Sequence, residues 1–135
     1  MRSATTIPPD ATASLRGVAE ICLALPEVEA STHTGQHYAF QVRGKTFVYY
    51  LVDHHGDGRT AISFKGPRGM SDVLIDHDPR RFYRAAYLAQ HGWVCLDLEA
   101  APIDWDEVRE FVLESYCLVA PKRLASAMSA RFGQT

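Results

Sequence analysis

Six histidines give this chain the side chains most often used to hold a metal, and their spacing argues against that use. His33 and His37 bracket a glycine, and His54 and His55 are adjacent. Neighbouring histidines in a loop or strand rarely converge on one ion, and neither His-Glu-x-x-His nor Cys-x-x-Cys occurs. The pattern predicts solvated loop histidines, with no metal and no other cofactor. Cys22, Cys95 and Cys117 are odd in number and far apart, which fits buried free thiols better than a disulfide framework. No Gly-x-Ser-x-Gly is present to expose a nucleophilic serine. Gly66-Pro67-Arg68-Gly69 is a glycine-containing turn without the Gly-Lys-Ser/Thr ending that positions phosphate and magnesium. The chain is therefore expected to be non-enzymatic.

One mixed constellation remains. Arg43, Lys45, Lys65, Arg68, Arg80, Arg81 and Arg84 fall at hairpin ends, turns and the approach to the last strand, with His91 and Trp93 close behind. Cations beside aromatic rings suit phosphate contact with base stacking. If the strands pair in the expected way, Trp93 shares the non-core face of the sheet with Lys65, and His91 lies alongside. The competing reading is a solvated sheet face whose ring packs under a loop.

The elements that must position these residues follow from patterning. Apolar residues Leu15, Val18, Ala19, Cys22 and Leu25 recur at helical spacing, with Asp10 as the expected cap and Pro26 as the stop. Tyr38, Phe40 and Val42 alternate with Ala39, Gln41 and Arg43, and residues 45–52 form a second run rich in β-branched and aromatic side chains. A two-residue turn at Arg43-Gly44 would set Val42 opposite Lys45, Phe40 opposite Phe47 and Tyr38 opposite Tyr49. Gln41, Thr46, Val48 and Tyr50 would then lie on the other side. Residues 53–59 are polar and glycine-rich, and residues 60–65 resume a strand with Ile62 and Phe64 on one face. A short helical turn is expected over 71–76. A strand follows over 92–98, with Val94, Leu96 and Leu98 on its core face.

Asp104 caps the second main helix, with Glu107 in capping-box position and Asp106 suited to the dipole. Its buried stripe is Trp105, Val108, Phe111, Val112, Ser115, Tyr116 and Val119. After Pro121 a third helix over 122–132 turns Leu124 and Met128 inward. Strands clustered between helices imply an α+β two-layer sandwich, an antiparallel sheet with helices packed on one face.

With 135 residues, 47% of them hydrophobic and 22% charged, the composition is that of one globular domain over 1–135, with a core over about 15–125 and a flexible 1–9. No apolar run approaches the ~18 residues of a spanning helix, which excludes the membrane as partner. The first residues lack the apolar stretch of a secretory signal, and a cytoplasmic protein is expected. The net charge of −2 argues against strong non-specific DNA binding, but it is unevenly placed. Residues 41–85 carry eight basic against five acidic groups, whereas 86–120 carry one against seven.

The order Leu25-Pro26-Glu27-Val28-Glu29, Phe40-Gln41-Val42-Arg43-Gly44-Lys45-Thr46-Phe47, Ser63-Phe64-Lys65, His91-Gly92-Trp93-Val94, Leu96-Asp97-Leu98 and Ser115-Tyr116 ahead of Ala120-Pro121-Lys122 resembles the MmcQ/YjbR-like family. The resemblance runs over roughly residues 15–125. It implies a CyaY-like fold and a double-wing DNA-binding motif, with DNA as partner. Arg43 to Lys45, Lys65, His91 and Trp93 are the positions that carry over. Where many members have a tryptophan near the start of the first strand, this chain reads Thr32-His33-Thr34-Gly35-Gln36-His37. Hairpin tips and loops such as Arg43-Gly44 and residues 53–59 are the candidate wings, the second of them carrying two acids. The alternative is a module that binds a small ligand or a protein partner on the sheet face around Lys65, His91 and Trp93.

Overall fold

The computed structural model describes residues 7–8, 11–32, 37–53, 56–86 and 88–132. The expected cap Asp10, the histidines His33, His54 and His55, and most of the 1–9 segment lie outside these residues. In chain order the elements are α1 (Ala13–Leu23), β1 (Val28–Thr32), β2 (Tyr38–Val42), β3 (Lys45–Val52), β4 (Thr60–Lys65), α2 (Met70–His77), β5 (Phe82–Arg84), β6 (Trp93–Asp97), α3 (Trp105–Val119) and α4 (Lys122–Phe132). A 3₁₀ turn, Ala89–His91, precedes β6. The strands form one antiparallel sheet in the order β1-β2-β3-β4-β6-β5. Strands β1 and β5 have no counterpart in the sequence expectations. Both are short, and β5 spans only three residues, too few to establish a period.

The core lies between one face of this sheet and the helices. Leu15, Val18, Ala19 and Cys22 of α1, and Val108, Val112 and Tyr116 of α3, pack against Phe40, Val42, Ile62, Phe64, Val94 and Leu96. Phe111 stacks on Phe64 at 4.6 Å and meets Phe82 edge-on at 5.8 Å. Helix α4 brings Leu124 and Met128 into the same core. Thr12, and not the expected Asp10, caps α1, because the helix starts at Ala13 and the Thr12 hydroxyl accepts from the Leu15 amide; Asp104 caps α3 as expected, accepting from the amides of Asp106 and Glu107.

The β2–β3 hairpin corrects the expected register. Arg43 and Gly44 both take positive φ (52° and 81°), the type I′ geometry that a two-residue hairpin requires, and Val42 does face Lys45. Beyond that pair a β-bulge intervenes, so that Phe40 faces Val48 and Tyr38 faces Tyr50. Phe47 is the extra residue. A one-residue slip exchanges the faces of everything after it. Val48 and Tyr50, expected outside, are therefore core residues, while Tyr49 joins a cluster on the opposite face of the sheet.

Helix α3 compensates for the bulge. The Ser115 hydroxyl, fully buried, donates to the Phe47 carbonyl at 2.6 Å and accepts from the Lys65 amide at 2.9 Å. One side chain thus serves two backbone groups just beyond the last β3–β4 pair, Val48 with Phe64, and it fixes the end of β4 that carries Lys65.

Candidate nucleic-acid interface

Strand register decides which cations can act together. Val48 faces Phe64, Lys65 faces Trp93 and Arg84 faces Val94. The β2–β3 tip with Arg43 and Lys45, the turn with Arg68, and the 89–92 turn with His91 therefore share one end of the sheet with Lys65 and Arg84. Arg123 also reaches this end, 3.9 Å from Glu27. Val52 faces Thr60, Ala61 faces Asp97 and Phe82 faces Leu96 at the other end, which holds Arg80, Arg81, Asp53 and residues 56–59. The two candidate wings consequently lie at opposite ends, about 26 Å apart along the eight residues of β3.

Many of the acids separate in the opposite sense, although Glu27 and Asp72 stay at the cationic end. Asp53, Asp57, Asp78 and Asp97, and the first turn of α3 with Asp104, Asp106 and Glu107, belong to the far end. Arg81 is neutralised there, donating to Asp78 at 2.7 Å and to both oxygens of Glu107 at 2.6 and 3.2 Å. These bonds, led by those to Glu107, raise the Arg81 pKa, and the same guanidinium holds the Asp78 carboxyl below the usual carboxylate range. Arg81 is a structural clamp, and Arg80 is exposed but remote from the cationic end.

At the cationic end Arg43 is committed as well. It donates to both carboxylate oxygens of Glu27, whose pKa this hydrogen bond lowers. Lys45 and Arg68 are exposed, Lys65 is half-buried, and Arg84 is 68% exposed with the Asp72 carboxylate 3.7 Å away. Arg68, Arg84 and His91 converge on one cleft of about 430 Å³, completed by Gly66, Gly69, Ser71, Asp72 and residues 89–92. The Gly66 amide donates to the Gly92 carbonyl at 3.0 Å and joins the two walls. A Cβ on Gly92, whose φ is 90°, would come within 2.8 Å of the Gly66 carbonyl oxygen, so this approach needs glycine.

Trp93 is not available for base stacking. It is 7% exposed and packs beside Tyr49 at 5.6 Å, in a cluster with Ala85 and Cys95 that Tyr83 and Leu88 border. The expected shared face with Lys65 is real, but the ring lies under its neighbours and the covered-ring alternative describes it. Arg59 lies over the Tyr83 ring at 4.1 Å and flanks the same cluster.

His37, the one histidine of the expected 33/37 pair that is described, has Nε2 2.9 Å from the Val52 carbonyl oxygen. Among the described residues no group of three or more His, Cys, Asp or Glu could hold a metal ion. Cys22, Cys95 and Cys117 are free thiols, and burial pushes those of Cys22 and Cys95 up. No helix of the described residues is long and apolar enough to cross a membrane. A larger cleft of about 540 Å³ lies between α1, α3 and α4, lined by Ile21, Leu25, Trp105 and Leu113 among others, and holds none of the expected site residues.

Ser71 and Arg123 were not singled out by sequence reasoning. For Ser71 the signal was a serine two residues after a glycine at a helix start, a place where backbone amides gather. For Arg123 there was none, because it reaches the site through α4.

Fold and cleft together define a small α+β domain with a cationic end and no spanning helix among its described residues. The chain belongs to the YjbR family, whose sequence model matches residues 23–118. The crystal structure of Deinococcus radiodurans protein DR2400, with family-model domain DUF419, has a similar fold, with a TM-score of 0.67 at 18% identity over 90% of this chain and 88% of that one. No curated protein matches the chain.

Proposed function

We propose that the chain is a non-enzymatic, cytoplasmic DNA-binding protein of CyaY-like fold that contacts phosphates with the cationic end of its sheet. The observation that carries this reading is the segregation of charge by strand register. Lys45, Lys65, Arg68 and Arg84 are gathered at one end, with the acid-rich end about 26 Å away. That distance is more than twice the Debye length of about 8–10 Å at physiological salt, so a DNA backbone at the cationic end is screened from the acids of the far end and meets only Glu27 and Asp72, each beside an arginine. Trp93 has no part in this contact, and phosphate contacts without base contacts position a protein without specifying sequence.

The test is duplex binding measured across a salt series. About four phosphate contacts give a slope of log K against log salt near −3 to −4. The Lys45→Ala, Lys65→Ala, Arg84→Ala triple variant should flatten it to about −1. Arg80→Ala, at the far end, should leave both affinity and slope unchanged. No binding at low salt, or an Arg80→Ala loss equal to that of the triple variant, would sink the reading.

A further inference from the structure

We infer that the cleft between α2 and the 89–92 turn grips a single terminal phosphate group, a phosphomonoester. The inference rests on the proposed reading of this end as phosphate-binding and names the chemistry of its deepest site.

The floor of the cleft is the start of α2, an eight-residue helix whose N-cap, Gly69, provides no side-chain hydrogen bond. The Met70 amide donates to Pro67 and the Val73 amide to Gly69. The amides of Ser71 and Asp72 have no backbone acceptor among the described residues. The second observation is the Ser71 hydroxyl. Ser71 is 8% exposed, lines the cleft, and makes no hydrogen bond among the described residues. The hydroxyl is thus presented to the cleft, and one on a cleft wall beside free amides suits an acceptor-only ligand with several oxygens. Arg68 and Arg84 add charge at the mouth, and His91 a ring nitrogen.

The chemistry favours a monoester over a diester. Asp72 stands 3.7 Å from Arg84, so an incoming anion competes with a carboxylate for that guanidinium. A dianion competes better than the monoanionic backbone diester. The Gly66–Gly92 hydrogen bond closes one side, which suits a group entering end-on. Such a phosphate comes either from the 5′ end of a nucleic acid or from a free phosphate ester.

The experiment titrates the isotope-labelled full chain with inorganic phosphate, followed by amide NMR. It then compares duplexes bearing a 5′-phosphate or a 5′-hydroxyl. Saturable shifts are expected at Gly69, Ser71 and Asp72. Arg68→Gln and Ser71→Asp should each weaken phosphate about tenfold. An acid in the first turn favours the helix dipole, so Ser71→Asp should retain its thermal midpoint. The exposed Arg68 keeps the test valid if it does not. A 5′-phosphate preference that Ser71→Asp abolishes assigns the nucleic-acid end as the source. Equal duplex affinities with saturable phosphate binding assign a free ester. Duplex binding without any response to phosphate overturns the cleft and leaves the DNA reading standing. Phosphate binding without duplex binding does the reverse.

Discussion

Arg81 and Trp93 show how a side chain's partners decide its role. Both belong to types that bind nucleic acid, and both are occupied by their own protein. The Arg81 clamp yields a pH dependence whose sign follows from Asp78. Its folded pKa is depressed, mainly by the Arg81 hydrogen bond, so the stability it contributes is present above the unfolded carboxylate pKa of about 3.9. That contribution is lost as pH falls through the lower folded value. Arg81→Gln should therefore lower the thermal midpoint at pH 7, and the difference from wild type should shrink steadily in melts taken below about pH 4. A gap that stays constant down to pH 2 would show that Arg81 acts by packing, through its contact with Phe82 at 4.9 Å, and not by charge.

Among the elements, the bulged hairpin and α3 depend on each other. The bulge places Phe47 and Val48 both in the core, with Phe47 edge-on to Tyr116 at 5.4 Å, and Ser115 bonds the backbone groups left over. Ser115→Ala deletes a donor to one buried carbonyl and an acceptor for one amide, and should cost about 1–3 kcal/mol in urea unfolding. Phe111→Ala removes a ring stacked between Phe64 and Phe82 and should cost about 3–5 kcal/mol. A smaller loss for Phe111 than for Ser115 would mean the helix–sheet interface is held by its polar bridge more than by its rings. Helix faces were legible here because period 3.6 is read within one segment: Val108, Val112, Ser115 and Tyr116 are all buried as their spacing requires. Sheet faces were less so, because a bulge leaves no mark on alternation until the partner strand is in place.

The molecule as a whole carries a small net charge, with Lys45, Lys65, Arg68 and Arg84 at one end of the sheet and Asp53, Asp57, Asp78 and Asp97 at the other. Its two ends are further apart than salt lets exposed charges feel each other, so they should be separable by mutation. Asp106→Asn with Glu99→Gln, both exposed at the acidic end, makes the net charge neutral. Duplex affinity at physiological salt should nevertheless change by less than about twofold. A rise of about tenfold would show that the whole protein's field, and not one end of the sheet, governs binding.

The sequence by itself determined the α+β layering, the main helices with the Asp104 cap, the inward faces of β4 and β6, and the two-residue turn at Arg43-Gly44. Each depends on residues near one another in the chain, where period, capping and turn chemistry act. It also supplied the cations. Tertiary structure alone decided which of them are free. Glu27 and Arg43 lie sixteen residues apart, and Arg81 and Glu107 twenty-six, and neither distance carries a local signal. Strand order and the bulge then decided which cations share an end, because sheet pairing joins residues through backbone hydrogen bonds whose register only the assembled core fixes.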